Sequence, residues 1–226
     1  MPTRFIVAID GPAGAGKSTI ARALATALGF VYIDTGAMYR AVALRAVRAS
    51  GDLSDETSMS ECARACLIEL LPDNRVLLDG EDVSGAIRTP EIAQAASKVS
   101  ALPGVRCAMV ALQRKLAESN SVVMEGRDIG TVVFPDAQAK VFLDASPEVR
   151  AARRVLEMRQ KGIDADPARI AAEIRERDHR DSNRAEAPLT LAPGADYVDT
   201  SDMTPEQVIA ALLQLVREKA GKDIQS

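Results

Sequence analysis

Short apolar runs alternate along the chain with longer stretches in which apolar residues recur every three or four positions. Runs of four or five apolar residues are typical of buried strands, and the periodic stretches are typical of helices. Alternation of the two predicts parallel strands joined by crossover helices, so the predicted fold class is α/β. The predicted strands cover residues 5–9, 30–33, 122–124, 140–143 and 197–199.

Helices are predicted where a start signal precedes a periodic stretch. A hydroxyl or carboxylate followed by proline, as at Ser146-Pro147 and Asp166-Pro167, supplies an N-cap and a first-turn residue that needs no backbone donor. Gly29 stands where a C-cap glycine is favoured, after the first helix. The predicted helices cover about 17–28, 36–49, 146–161, 166–183 and 204–219, and two more open at 89–91 and 103–104.

One segment, from about residue 66 to 88, departs from the alternation. Apolar residues at 67–71, 75–78 and 83–87, with a turn at 72–74, predict a small antiparallel unit. Together with the two helices that follow, this unit is predicted to be an insertion in the α/β core.

Composition narrows the class of protein. The 226 residues are 47% hydrophobic and 27% charged, which is typical of a globular chain and fits one domain with insertions. A net charge of −4 argues against nucleic-acid binding through bulk positive charge. The longest run without a charge, 23–33, is well short of the roughly 18 residues that a membrane helix needs.

Three cysteines and a single histidine form no metal-ligand pattern. Reduced thiols in a cytoplasmic protein are therefore expected. Cys62 and Cys66, four residues apart, are predicted to be small core residues.

The strongest motif lies at residues 11–18, which match G-x-x-x-x-G-K-[ST] between a predicted strand and a predicted helix. Glycines allow backbone N–H groups to converge on phosphate oxygens, and the helix start adds further donors. Lys17 is placed to neutralise the β- and γ-phosphates and Ser18 to bind Mg²⁺. The predicted ATP-binding residues are Gly11, Pro12, Ala13, Gly14, Ala15, Gly16, Lys17, Ser18 and Thr19.

Other features of the sequence narrow the class of nucleotide-binding protein to which this loop belongs. No Asn-Lys pair occurs, so the guanine-reading motif of a regulatory GTPase is missing. The D-x-x-G match at 82–85 falls in the predicted insertion and is interpreted as a turn. The length excludes a large motor or transporter ATPase. Small kinases, which hold ATP over a phosphate-accepting second substrate, remain.

Three polar segments follow predicted strands or lie on a predicted helix, at 34–40, 125–130 and 173–184. The first fits an ordinary helix N-cap at Asp34 or Thr35, although that leaves Arg40 unexplained. The second fits either a surface turn or a salt-bridged functional loop. Spacing alone favours a solvated helix for the third, with Glu173–Arg177 and Glu176–Arg180 pairs and an exposed His179. Arginines around Asp181 on the same helix face also suit a phosphate and a sugar hydroxyl.

Several of these stretches together resemble the bacterial cytidylate kinases, a family within the nucleoside monophosphate kinases. The similar stretches are 11–19, 34–40, 79–106, 125–137, 140–146 and 174–184. The resemblance implies one P-loop kinase domain over residues 1–226, with a five-stranded parallel sheet. It further implies an inserted monophosphate-binding subdomain at about 66–103 and a lid at about 158–166.

The resemblance also implies roles for individual residues. Thr35 stands where some relatives have serine, which keeps the hydroxyl. Arg154 and Arg159 are lid candidates by location alone. The implied contacts are cytosine at Ser97, Arg106 and Asp128, acceptor phosphate at Arg40, Arg127 and Arg184, and sugar at Arg177 and Asp181.

The expected activity is transfer of the γ-phosphoryl group of ATP to CMP or dCMP with Mg²⁺. Lys17, Arg127 and Arg184 are the expected catalytic residues. The alternatives are a kinase for UMP or another small acceptor, and a nucleotide-gated binding module. We expect a cytoplasmic monomer that takes small-molecule substrates and binds neither nucleic acid nor membrane.

Overall fold

The computed structural model describes residues 4–160 and 162–221. Its central feature is a five-stranded sheet in the order β2-β6-β1-β7-β8. In it β1 is parallel to both β6 and β7, and β7 is parallel to β8, which confirms the predicted parallel α/β core. The strands of this sheet are β1 Ile6–Asp10, β2 Val31–Asp34, β6 Val122–Glu125, β7 Ala139–Asp144 and β8 Asp196–Asp199.

A second, antiparallel sheet has the order β3-β4-β5. Its strands are β3 Ile68–Leu70, β4 Val76–Leu78 and β5 Glu81–Asp82, and a short 3₁₀ turn follows at Ala86–Arg88. The helices are α1 Lys17–Leu28, α2 Thr35–Arg48, α3 Glu56–Ala65, α4 Pro90–Val99, α5 Pro103–Leu116, α6 Pro147–Gln160, α7 Pro167–Asn183 and α8 Pro205–Ala220.

The chain divides into two compact units, one of Met1–Phe30 with Ser121–Ser226 and the other of Val31–Asn120. In the first unit, β1 is buried along its whole length, and α1 and α8 pack against each other. Burial on both faces is why parallel strands have nearly continuous apolar sequences. In the second unit, α2 packs on α4 and α3 packs on α5.

Helix starts follow the capping signals in the sequence. The Asp34 carboxylate accepts from the Ala37 N–H at 2.9 Å, and the Asp166 carboxylate accepts from Ala168 N–H at 3.1 Å. Thr204 forms a capping box with Gln207 at the start of α8. These contacts satisfy backbone donors that a first helical turn leaves open.

Two predictions in the second unit were wrong. No helix was predicted over α3, because its sequence is polar, yet Asp55 caps it by accepting from the N–H groups of Thr57 and Ser58. The third strand was predicted at 83–87 but lies at β5. Positive φ angles at Asp79 and Gly80 make a tight turn, so pairing with β4 resumes at once.

The cysteines also differ from expectation. Cys62 and Cys66 are half-buried rather than core residues, and Cys107 is exposed. Burial raises the pKa of both half-buried thiols. The predicted end of α6 at Lys161 lies outside the described residues. Within those residues, no single helix meets the length and apolarity of a membrane span, although α4 and α5, bent by 101°, meet the criterion as a pair.

Candidate active site

The phosphate-binding loop connects the carboxyl end of β1 to the start of α1. Gly16 occupies the N-cap position with φ 88°, and Lys17 is the first helical residue. The Lys17 side chain is buried and its Nζ donates to the Pro12 carbonyl at 2.7 Å. Burial, followed by the positive charge of Arg127, lowers the pKa of Lys17 well below its usual range. An anion in the loop would supply the negative charge that a buried ammonium requires.

Asp10, the last residue of β1, links the phosphate-binding loop to the segment that follows β6. Its Oδ1 accepts from the Ile129 N–H and its Oδ2 from the Gly130 N–H, each at 2.8 Å. Burial raises the pKa of Asp10 to about 6, although both N–H donors act to lower it. The carboxylate therefore fixes the backbone directly after Arg127 and Asp128.

Two ion pairs cross between the segment after β6 and the end of α7. Arg127 Nε lies 3.0 Å from Asp181 Oδ2, and Arg184 Nη2 lies 3.7 Å from Asp128 Oδ1. The Arg184 and Asp128 side chains are only 8% and 6% exposed. We call these four residues the arginine–carboxylate cluster. Each guanidinium is held by a carboxylate of the other segment, so the structure brings together residues 54 or more positions apart.

The electrostatics of Asp181 follow from this arrangement. Burial alone would raise the pKa of Asp181, but the guanidinium groups of Arg127 and Arg177 outweigh it and hold the pKa below its usual range. Arg177 Nε lies 3.9 Å from the same carboxylate oxygen. Arg184 follows the last turn of α7 with extended backbone, and its Nε donates to the Ala187 carbonyl at 2.5 Å.

The solvated-helix interpretation of 173–184 holds for one face of α7 alone. There, Arg180 pairs with Glu176, and His179 is exposed and contacts Asn183. Glu173 pairs with Arg169 at 2.9 Å, a contact that was not predicted. The opposite face carries the buried Asp181. The helix thus has one solvated face and one buried face, and the functional interpretation of the buried face stays a prediction.

The second unit holds the remaining predicted site residues. Thr35 is buried at the start of α2, and Arg40 Nη1 donates to the Ile87 carbonyl at 3.2 Å. Arg106 on α5 is buried, with Nη1 donating to the Ser100 carbonyl at 3.3 Å. The Ser97 hydroxyl is buried and has no hydrogen-bond partner among the described residues. A buried hydroxyl of this kind is suited to a ligand, because leaving it unsatisfied is costly.

The donor set suits Mg²⁺ bound mainly through nucleotide phosphates. Ser18 presents an exposed hydroxyl in the first turn of α1. No group of three or more His, Cys, Asp or Glu side chains able to hold a metal occurs among residues 4–160 and 162–221. Mg²⁺ commonly uses few protein ligands when substrate phosphates supply the others. Arg154, a lid candidate by location, pairs with Glu157 at 2.9 Å on the surface.

Some site residues were missed by the sequence analysis. Asp10 is a buried acid that ends an apolar strand directly before the loop. Arg150 is a buried cation in the first turn of α6. A charged residue at the end of an otherwise apolar strand is the signal that could have identified Asp10.

A loop of this geometry next to a buried arginine–carboxylate cluster defines a P-loop protein of the phosphotransferase class. The chain belongs to the cytidylate kinase family, which it matches over residues 7–218. It is 56% identical to a cytidylate kinase of Solibacter usitatus, over 97% of this chain and 96% of that protein. It is 51% identical to a cytidylate kinase of Caldanaerobacter subterraneus, over 96% and 97%.

A solved structure of an uncharacterised protein from Eubacterium ventriosum has the same fold. Its TM-score is 0.53 at 12% identity, over 94% of this chain and 98% of that one.

Proposed function

We propose that the chain transfers the γ-phosphoryl group of ATP to CMP or dCMP, which yields ADP and CDP or dCDP. The observation that carries this proposal is a phosphate-binding loop together with a separate, buried cluster of arginines in one compact unit. One phosphate site serves a donor nucleotide, and the second indicates an acceptor that is itself a phosphate. Membership of the cytidylate kinase family supports cytosine as the base of that acceptor.

On the donor side, residues 11–19 would hold the ATP phosphates through backbone N–H groups and the start of α1. Lys17 would contact the β- and γ-phosphates, and this contact replaces its hydrogen bond to Pro12. Ser18 would hold Mg²⁺ together with the phosphates. Bound there, Mg²⁺ neutralises charge that develops on the phosphate oxygens.

On the acceptor side, the arginines would bind the phosphate of CMP, and the neighbouring carboxylates would hold them in position. Arg127 and Arg184 are paired with Asp181 and Asp128 in the structure. The carboxylates offset the repulsion between the two guanidinium groups, and a bound phosphate would replace some of the contacts that the carboxylates make. The proposed acceptor contacts are phosphate at Arg40, Arg127 and Arg184, sugar at Arg177 and Asp181, and base at Ser97, Arg106 and Asp128, with Thr35 as a further CMP-binding residue.

The chemistry requires little proton transfer. A phosphate oxygen of CMP is already anionic, so it attacks the γ-phosphorus without a general base, and the bond to the ADP oxygen breaks. This fits a chain whose sole histidine, His179, is exposed and outside the cluster. Lys17, Arg127 and Arg184 would stabilise the charge that spreads over the transferred group. The proposed lid at 158–166 would exclude water during transfer, and the proposed insertion at 66–103 would be the monophosphate-binding subdomain.

The test is ADP release with ATP and Mg²⁺ against a panel of CMP, dCMP, UMP and AMP. We expect slow hydrolysis of ATP alone and strong acceleration by CMP and dCMP, since closure that completes the site needs both substrates. Acceleration by UMP alone would favour the alternative pyrimidine kinase. Equal ADP release with and without any acceptor would contradict a kinase and favour an ATPase or a binding module.

We further propose that the enzyme works as a cytoplasmic monomer with ATP and CMP as its partners. A net charge of −4 supports independence from nucleic acid. Light scattering coupled to size exclusion, at the concentration used for the activity assay, tests the monomer directly.

A further inference from the structure

Arg150 lies in the first turn of α6, outside the residues assigned to ATP or CMP. Its side chain is only 4% exposed. The guanidinium makes three contacts. Nε donates to the Ala145 carbonyl at 2.8 Å, and Nη1 donates to the Ala13 carbonyl at 3.1 Å and lies 2.7 Å from Asp178 Oδ2.

Stability alone is a weak explanation for this arrangement. Burying a cation is expensive, and a buried ion pair commonly contributes little net stability compared with apolar side chains of the same size. What the three contacts do determine is geometry. They fix one guanidinium plane between α6, the phosphate-binding loop and α7.

The contact with Ala13 bears directly on phosphate binding. Ala13 lies between Pro12, whose carbonyl accepts from Lys17, and Gly14. A Cβ on Gly14 would lie 3.2 Å from the Cβ of Arg150, so the loop passes tightly over this side chain. A loop whose N–H groups face phosphates must direct its carbonyls elsewhere, because carbonyl oxygens repel phosphate. A buried donor that holds the Ala13 carbonyl stabilises that orientation.

The guanidinium of Arg150 also contacts α7, the helix that carries Arg177 and Asp181. Asp178 Oδ2 pairs with Arg150, and Asp178 Oδ1 is buried with no hydrogen-bond partner among the described residues. Helices α6 and α7 are held together there by an apolar cluster that includes Val155, Ile170 and Ile174. Neutralising Asp178 should therefore act on the loop through Arg150.

We propose that Arg150 is a positioning residue for the donor nucleotide and that Asp178 acts through it. Arg150 holds the phosphate-binding loop ready for the ATP phosphates, and Asp178 orients the guanidinium that does so. The inference deepens the proposed function, on which it rests for the identity of the donor. ADP binding without an acceptor is the chosen readout, so failure of the CMP assignment would leave this test intact.

The experiment measures ADP and CMP affinities separately by calorimetry for wild type, Arg150→Met, Arg150→Lys and Asp178→Asn. Losing a charged hydrogen bond to the loop should weaken ADP binding about tenfold in Arg150→Met. CMP binding should stay within about twofold, because no acceptor contact is removed. Arg150→Lys should recover part of the ADP affinity, since an ammonium can satisfy Asp178 or Ala13 but lacks the planar fork. The double variant Arg150→Met/Asp178→Asn, measured in the same way, should bind ADP no more weakly than Arg150→Met, because Asp178 acts through Arg150.

Arg153→Met and Glu173→Gln are matched controls. Arg153 bonds the hydroxyl and carbonyl of Thr200, and Glu173 pairs with Arg169 on the exposed face of α7. Both should leave ADP affinity unchanged. Unchanged ADP affinity in folded Arg150→Met would overturn the proposal, as would an equal loss of ADP and CMP affinity. Additive losses of ADP affinity in the double variant would show that Asp178 does not act through Arg150. Should Arg150→Met fail to fold, Arg150→Lys and Asp178→Asn provide the same comparison.

Discussion

The phosphate-binding loop and the arginine–carboxylate cluster lie in the same compact unit and are both proposed to bind phosphate, but they are built differently. The loop is made by backbone: its shape depends on glycines at φ values that other residues avoid, and its one charged side chain is Lys17. The cluster is made by side chains from two distant segments, paired as Arg127–Asp181 and Arg184–Asp128.

This difference affects how each region tolerates change. A backbone site fails when the chain cannot adopt its path, so its weak points are steric and appear as lost stability. A side-chain site does not constrain the path of the backbone in this way, so removal of one charge acts on binding and selectivity as well as on stability. Asp10 belongs to both regions, because it ends the strand before the loop and holds the backbone that follows Asp128.

The largest effect is expected from Gly11→Ala. A Cβ there would lie 2.0 Å from the Leu143 carbonyl oxygen, at φ +146°. Since that oxygen belongs to β7 in the central sheet, relief requires the sheet to move, and we expect a loss of about 4 kcal/mol or more in the free energy of unfolding. Denaturant titration measures it.

Gly16→Ala is the matched control for that variant. Gly16 also has a positive φ, but a Cβ there would meet nothing within 4 Å. Gly16→Ala should lower the free energy of unfolding by about 1–2 kcal/mol, because alanine disfavours the left-handed backbone conformation. Equal losses for the two variants would show that the approach to Leu143 does not limit the loop.

The next effect concerns the pH dependence that Asp10 confers. Burial raises its pKa to about 6 from an ordinary value of 3.8. Between these values the folded protein keeps a proton that the unfolded chain has lost, so this contribution to stability is full below about pH 4 and is lost as pH rises through 6. A pKa shift of this size corresponds to roughly 3 kcal/mol in the free energy of unfolding.

Urea titrations of wild type and Asp10→Asn at pH 4, 5, 6 and 7 measure this contribution, because other titrations largely cancel in the difference. The free energy of unfolding of wild type minus that of the variant should fall as pH rises. A constant difference would contradict the raised pKa.

The contrast between a loop built by backbone and a cluster built by side chains also explains which features the sequence could predict. The loop is contiguous and its geometry is local, so spacing predicted α1 to the residue and placed Lys17 correctly. The cluster depends on contacts between residues 54 or more positions apart, which no local pattern encodes. Spacing alone therefore left α7 open between a solvated and a functional face. Family resemblance supplied the roles of Arg177 and Asp181, which remain proposals.

The missed features also have physical causes. Helix α3 was hidden because its ten residues bury only Met59, Ser60 and Ala63, so the apolar pattern is weak. Arg150 and Asp10 were missed because their partners come from tertiary contacts with distant segments of the chain. Neither partner set can be derived from neighbouring residues.

Lys17→Met tests the one side chain on which the loop depends. Its ammonium contact should strengthen as charge develops between the β- and γ-phosphates, so kcat should fall by about 10²-fold or more. Lys140→Met is a matched control, because Lys140 Nζ donates to the Pro135 carbonyl at 2.8 Å, five residues back, as Lys17 does to Pro12. Steady-state ADP release is the measurement. Wild-type kcat in folded Lys17→Met would contradict the proposed mechanism.

The smallest effect, and the most specific, is expected from Asp128→Asn in the side-chain region. Cytosine offers an amine donor and two ring acceptors, and a carboxylate can accept from the amine, whereas uracil presents O4 at the same place. An amide can offer either a donor or an acceptor, so the ratio of kcat/KM for CMP to that for UMP should fall about tenfold.

The pairing with Arg184 makes this ratio the decisive quantity. If Asp128 did no more than hold Arg184, the substitution would lower kcat/KM for both substrates equally, because both carry the same phosphate. Asp79→Asn, which breaks an exposed pair with Arg45, should change neither value. An unchanged ratio in folded, active Asp128→Asn would assign Asp128 to the support of Arg184 and leave base selection to Ser97 and Arg106.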